Sequence, residues 1–274
     1  MLELPEVLNI SEQLNNNMSG KTVLRVMQPT KIHKFCWYNG EPENYNTVLS
    51  GKTIVSAAGF GIYAEINFSG GQKLCFNDGV NARLVEESDI PKNYQLTICF
   101  DDGMALVLTV AMYGGIILHD GGYDNEYYLK SKNFISPFSL QFDNYFNRTF
   151  VENRTSKLSA KAFIATEQRF PGIGNGVAQD ILFKAKLHPK RKISTLDDKE
   201  KNLLLQSIHS VLTDMRKLRG RDTEKDLFGN QGGYATIMSK KSFSSGCPIC
   251  GGLITKEAYL GGSVYYCPEC QKLK

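Results

Sequence analysis

Cys247-Pro-Ile-Cys250 and Cys267-Pro-Glu-Cys270 stand sixteen residues apart, a spacing that constrains the chain more than any other feature in it. Two CxxC hairpins so separated bring four thiolates around one tetrahedral zinc ion. A redox pair would show a single CxxC, and a secreted scaffold would scatter its cysteines. Here four of the seven fall in the last twenty-eight residues. With Cys247, Cys250, Cys267 and Cys270 all ligating, no coordination position stays open for water or substrate, so the expected Zn2+ is one structural ion that shapes a hairpin. Any chemistry must come from elsewhere in the chain.

At 274 residues the chain is long enough for more than one core. No stretch approaches eighteen consecutive apolar residues, and acids stand at the N-terminus where a signal peptide would be basic, so a soluble intracellular protein is expected. Cys36, Cys75 and Cys99 lie in apolar contexts and read as reduced, buried thiols without function. Residues 1–150 sum to −5 and residues 151–274 to +9. The basic residues concentrate between Lys184 and Lys192 and at Arg216, Lys217, Arg219 and Arg221, as on a surface that follows nucleic-acid phosphates.

The pattern along the chain predicts an α+β multidomain protein. Residues 3–18 form an amphipathic helix, with Pro5 in the first turn and Leu4, Val7, Leu8 and Leu14 on one face. From Thr22 to about His119, short β-rich runs (23–27, 35–38, 53–57, 62–68, 73–76, 96–100 and 105–110) are split by Gly-containing turns, which indicates an antiparallel sandwich or barrel. Residues 121–136 read as a connection. The period then becomes helical, over 177–187 and over a segment opened by Ser194 and Thr195, in which Leu204, Ile208, Val211, Met215 and Leu218 line one face before Gly220. The expected units are 1–132, an N-terminal helix with a β-sandwich; 133–228, a helical DNA-binding domain; and 229–274, the four-cysteine zinc hairpin.

Phe170-Pro-Gly-Ile-Gly-Asn-Gly176 is a glycine turn that opens a helix. Free N–H groups at a helix start make an anion site, and the Asn175 side chain adds a donor, so a DNA phosphate is the expected ligand of Gly172, Gly174 and Asn175.

Taken together, Glu3-Leu-Pro-Glu-Val7, the β-rich first half, Pro171-Gly-Ile-Gly-Asn175, Leu187-His-Pro189 and Cys267-Pro-Glu-Cys-Gln271 resemble, in order and spacing over nearly the whole length, the formamidopyrimidine-DNA glycosylase and endonuclease VIII family. The resemblance implies a two-domain clamp with a helix–two-turns–helix unit and a zinc hairpin. Such a clamp binds damaged duplex DNA, flips the lesion base out and attacks C1′ with an N-terminal amine. An α-amine with a pKa near 8 is roughly a tenth neutral at pH 7, which suits it to that task. Glu3 matches the carboxylate that manages protons. Val80, Met112 and Tyr113 match the residues that fill the gap left by the flipped base, where an apolar wedge can pry a step open.

Three positions depart from the family. Leu2 stands where the family has proline, so the nucleophile is either absent or a primary amine on Met1 or Leu2. Retention of Met1 is expected and displaces the amine by about 3.8 Å, more than the roughly 3.5 Å that attack tolerates. The family's lysine in an early hairpin falls near Gly61-Ile62, and its zinc-hairpin arginine falls on Gly262, so two phosphate-gripping cations are missing.

The expected function is therefore a base-excision-repair glycosylase acting on oxidised or otherwise damaged bases, with abasic-site lyase activity through an N-terminal amine as an added possibility. Glu3 and Leu2 are its candidate catalytic residues. A monofunctional route, in which Glu3 activates water, suits the absent proline. The alternative is a damage- or abasic-site-binding protein that keeps the clamp without chemistry. In either case the partner is duplex DNA, no membrane is involved, a monomer is expected, and the location is the bacterial cytoplasm with the nucleoid.

Overall fold

The structure is a computed structural model that describes residues 1–274. Helix α1 (Leu4–Met18) begins where Pro5 and Glu6 suit a first turn, and Glu6 reaches back to accept from the Glu3 N–H at 3.3 Å. The strands that follow are β1 (Val23–Met27) and β2 (Cys36–Tyr38), then, after the short helix α2 (Tyr45–Leu49), β3 (Ile54–Phe60), β4 (Tyr63–Phe68), β5 (Lys73–Asn77), β6 (Val80–Glu86), β7 (Leu96–Phe100), β8 (Met104–Val110) and β9 (Gly114–His119).

These strands form a four-stranded sheet in the order β1-β7-β8-β6 and a five-stranded sheet in the order β2-β9-β5-β4-β3. Every pairing is antiparallel except β2 with β9, which run parallel from Cys36↔Gly114 to Tyr38↔Ile116. A core of 27 buried residues lies between the sheets and α1. The expected sandwich is present, with two strands, β6 and β9, beyond the runs that the sequence pattern predicts.

Four more helices and one long one follow in order: α3 (Glu126–Lys132), α4 (Phe142–Phe150), α5 (Ala160–Ala165), α6 (Asn175–Lys184) and α7 (Asp198–Lys217). The expected connection at 121–136 thus contains a helix, started by Asn125 accepting from the Tyr127 and Tyr128 N–H groups. Helix α7 is opened by Asp197 with Glu200 in a capping box, and Ser194 and Thr195 lie in a 3-10 turn before it. These helices enclose a second core of 22 buried residues, mostly Phe, Leu and Ile. None of the helices is long and apolar enough to cross a membrane.

The two cores meet at the chain's beginning, for Leu2 belongs to the first and Leu4 to the second. The segment after α7 returns to the first core: Leu227 is buried there, its carbonyl accepts from the Leu84 N–H at 2.9 Å, and its own N–H donates to Gln13. The hairpin β10 (Thr255–Tyr259) and β11 (Gly262–Tyr266) closes the chain. It docks on α6 through the Tyr265 N–H, which donates to Gln179 Oε1 at 2.6 Å, and the segment after β11 docks on the loop beyond α6 through Gln271 Nε2, which donates to the Leu187 carbonyl at 2.8 Å.

Candidate active site and metal centre

Glu3 organises the junction of the two cores. Its carboxylate accepts from the backbone N–H groups of Gly174, Gly176 and Val177, each at 2.9 Å, and from Arg221 Nη1 at 3.0 Å. A carboxylate at a helix start is stabilised by the unpaired N–H groups and by the helix dipole. The anion site expected for a DNA phosphate at Gly172–Gly174 is therefore filled from within the chain. Gly172 serves packing instead: its φ is +89°, and a Cβ there would lie 2.6 Å from both the Gly61 carbonyl oxygen and Leu4 Cβ.

Arg221 was expected on a phosphate-following surface, but it is only 3% exposed. It pairs with Glu3 and also with Glu6, at 2.8 Å from Nη2 to Oε2. Two acids in a buried pocket need a cation beside them, which is the physical reason for the correction. Elsewhere in the basic clusters Lys184 pairs with Asp214, Lys190 with Glu257, and buried Arg191 with Glu200. Four of the cations in these clusters are thus held in ion pairs within the chain.

Leu2 and Met1 take different roles. The Leu2 side chain is 6% exposed within the first core, and its amide N–H donates to the Asp78 carbonyl at 2.7 Å. The α-amine belongs to Met1 and pairs with Glu224 Oε2 at 2.7 Å. Both residues line a cleft of about 1010 Å³ between the two cores. Asp78, Met112, Tyr113, Lys161, Asn175 and the hairpin turn at Gly261-Gly262 line the same space.

Met112 and Tyr113 project into that space, 64% and 36% exposed, as a wedge requires. Val80 does not. It is 1% exposed and sits in the first core, paired with Val110, so it cannot fill a gap in DNA. Its position on β6, with Val80, Ala82 and Leu84 all facing the core, turns it inward.

Asn175 bridges the two elements expected to grip one strand. Its Nδ2 donates to the Ser263 carbonyl at 3.0 Å, and Gly262 packs against its amide. One Nδ2 hydrogen and the Asn175 backbone N–H remain for an anion. Lys161 is the one cationic side chain lining the cleft. Its Nζ donates to the Tyr259 carbonyl at 2.6 Å, and burial pushes its pKa down. Lys161 in α5, Asp78 in the β5–β6 turn and Arg221 as an internal ion-pair partner beyond α7 were all missed by sequence reasoning, since a single charged residue carries no pattern.

The four C-terminal cysteines converge. Cys247 and Cys270 sulfurs are 3.8 Å apart, those of Cys250 and Cys267 are 3.5 Å apart, and all four lie within 4.8 Å of one another. A tetrahedron with metal–sulfur bonds of about 2.3 Å has edges of about 3.8 Å, so the group is positioned to bind a metal ion. A second cluster, Glu65 with Cys75 and His119, is equally tight. It does not suit a metal. His119 Nδ1 accepts from the Gly121 N–H, which places the ring proton on Nε2, 3.7 Å from Glu65; Lys73, Lys132 and Tyr128 already surround that carboxylate.

Comparison with known proteins settles the kinship. The family model for the formamidopyrimidine-DNA glycosylase N-terminal domain matches residues 1–155. The chain belongs to this family. Formamidopyrimidine-DNA glycosylases of Carboxydothermus hydrogenoformans and Halorhodospira halophila are 28% and 25% identical to it, each over 277 residues that cover 99% of this chain and 100% of theirs. Among solved structures, Lactococcus lactis Fpg in complex with DNA containing an abasic site superposes with a TM-score of 0.81 at 23% identity, covering 98% of this chain and 99% of that one. The MutM (Fpg) protein of Thermus thermophilus gives 0.81 at 20% identity, covering 99% of both chains.

Proposed function

We propose that the protein is a base-excision-repair DNA glycosylase that hydrolyses the bond between a damaged base and its sugar in duplex DNA. The observation that carries this reading is the convergence, in one cleft, of the chain's beginning, an exposed Met112–Tyr113 wedge and the Asn175–hairpin contact. The wedge opens a base step, and Asn175 holds a phosphate of the same strand, so the sugar of the extruded nucleotide faces residues 1–3 and 78. The four-cysteine site holds one structural Zn2+ that fixes the hairpin turn against Asn175. The chain divides as 1–132, 133–228 and 229–274, with the segment up to Tyr234 strapped back onto both cores, and it works beside the bacterial chromosome.

Water, not the amine, is the attacking group in this reading. The Met1 nitrogen is engaged by the Glu224 carboxylate at 2.7 Å, and the Leu2 N–H donates to the Asp78 carbonyl. Glu3, with four donors on its two oxygens, is a positioning residue that locks the chain's beginning to α6.

The test uses duplexes carrying 8-oxoguanine, formamidopyrimidine or 5-hydroxyuracil, with and without borohydride. Base release that leaves an intact abasic strand and no trapped adduct is the expected result. An adduct abolished by blocking the N-terminus would replace water with the amine. Tight binding to abasic duplex with no base release would leave the non-catalytic damage binder.

A further inference from the structure

Extruding a nucleotide leaves a gap in the stack of one strand and an orphaned base on the other. Met112 and Tyr113 project into the cleft, but Val80, expected beside them, is buried in the first core. Another large side chain borders the same space. Trp37, the chain's single tryptophan, lines the cleft and is 54% exposed.

The fold explains why this ring is bare. Strand β2 lies at the edge of its sheet, and the alternation of a strand turns Cys36 and Tyr38 toward the first core and Trp37 to the opposite face. Its partner in the parallel pairing with β9 is Gly115, which has no side chain to cover the indole. The short strand is nonetheless held on both sides of Trp37. The Phe35 carbonyl accepts from the Gly114 N–H at 3.0 Å, the Tyr38 hydroxyl donates to the Gln95 carbonyl at 2.9 Å, and Asn39 Nδ2 donates to the Leu118 carbonyl at 2.8 Å. The wedge is anchored to the same pair of strands, because Tyr113 directly precedes Gly114, the partner of Cys36. Behind it Gly79 packs so closely that a Cβ would lie 2.2 Å from the Tyr113 carbonyl oxygen. Trp37 and the wedge therefore keep a fixed spacing along one rim of the cleft. A flat aromatic face presented from a fixed backbone is the kind of platform on which a nucleobase stacks.

We propose that Trp37 stacks on the orphaned base opposite the extruded nucleotide, while Met112 and Tyr113 occupy the gap itself. The assignment rests on the reading that the cleft holds duplex DNA with one nucleotide extruded, and it is independent of the attacking group. Trp37 is a positioning residue in this scheme, since it steadies the undamaged strand and touches none of the reacting atoms. Its loss weakens binding to DNA with an extruded or missing base more than binding to intact duplex.

The experiment measures the affinity of wild type, Trp37→Leu and Trp37→Phe for an intact duplex, a duplex with a tetrahydrofuran abasic analogue opposite guanine, and a duplex with the analogue opposite a second analogue. Leucine keeps an apolar side chain without a ring, and phenylalanine keeps a ring. On the analogue–guanine duplex Trp37→Leu is expected to lose roughly 10- to 100-fold in affinity, the usual worth of one base stacked on an aromatic ring, and Trp37→Phe to recover most of it. On the double-analogue duplex no base is left to stack on, so the leucine variant is expected within about threefold of wild type. As the single tryptophan, Trp37 also reports on itself: its fluorescence is expected to become shielded from acrylamide when the analogue–guanine duplex binds. Three results would each overturn the assignment: a leucine variant within about twofold of wild type on the analogue–guanine duplex, an equal loss on the double-analogue duplex, or an indole as open to acrylamide in the complex as in the free protein. If wild type itself binds the analogue–guanine duplex no better than intact DNA, the damage-clamp reading fails and takes Trp37 with it. A wild type that prefers the analogue, with a leucine variant that prefers it equally, removes Trp37 alone.

Discussion

Glu65 shows what a single buried residue contributes. It lies on β4 beneath α3, where Tyr128 donates to it at 2.5 Å, Lys132 and Lys73 stand at 3.3 and 3.4 Å, and His119 faces it. Burial alone would raise its pKa, but these partners outweigh that and bring it down to about 2 from an ordinary 4.5. The folded state therefore binds the proton less readily than the unfolded chain. Stability from this group is fully present above pH 4.5 and is lost as pH falls toward 2, by roughly 3 kcal/mol in all. Urea denaturation at pH 7, 5 and 3 checks this: Glu65→Gln is expected to be less stable at pH 7 and to lose less than wild type between pH 5 and 3. Equal slopes for the two proteins would show that the network does not hold α3 to the sheet. None of this was legible in the sequence, where Glu65 is one acid among apolar strand residues and its partners lie up to 67 positions away.

At the scale of elements, periodicity located α1, α6, α7 and seven of nine strands, and the cysteine spacing located the zinc hairpin. Strand β9 escaped because it is buried at every position and starts with Gly114-Gly115, so it offers no alternation. Strand β6 does alternate, and that signal was there to be read. The helices α2 to α5 are five to nine residues long, too short for a 3.6-residue period to register, and packing holds them in place. The hairpin β10–β11 is an element of another kind, for it shares with Phe183 of α6 a small core of six buried residues, two of them Cys247 and Cys267 of the four-cysteine cluster. Cys250→Ser is expected to release the bound metal and loosen the Leu260–Gly262 turn from Asn175, while the first core stays folded. Metal content with amide hydrogen exchange decides it, and a stoichiometric ion retained by the variant would refute the four-thiolate site.

At the scale of the molecule, the structure is tied together where residues 1–6 meet residues 219–234. Arg221 satisfies Glu3 and Glu6 at once, and Glu224 takes the terminal amine. Replacing Arg221 with methionine leaves two buried carboxylates without a cation, a loss of about 3–5 kcal/mol. Thermal or urea unfolding measures that loss. If Arg221→Met changed stability by less than about 1 kcal/mol, the buried triad would not be what joins the two cores.

By itself the sequence determined whatever is written in short-range pattern: the cysteine spacing, the amphipathic helices, the strand-and-turn rhythm and the motifs that carry the family resemblance. The tertiary structure alone decided where charge goes. Which acid caps α6, which arginine is buried, and which carboxylate is left facing the cleft all depend on groups far apart in the chain that share one pocket, with Glu3 and Arg221 separated by 218 residues. Desolvation and pairing act through space, so a count of basic residues along the chain does not tell that Arg221 is buried as an ion-pair partner of Glu3 and Glu6 and not set on a surface.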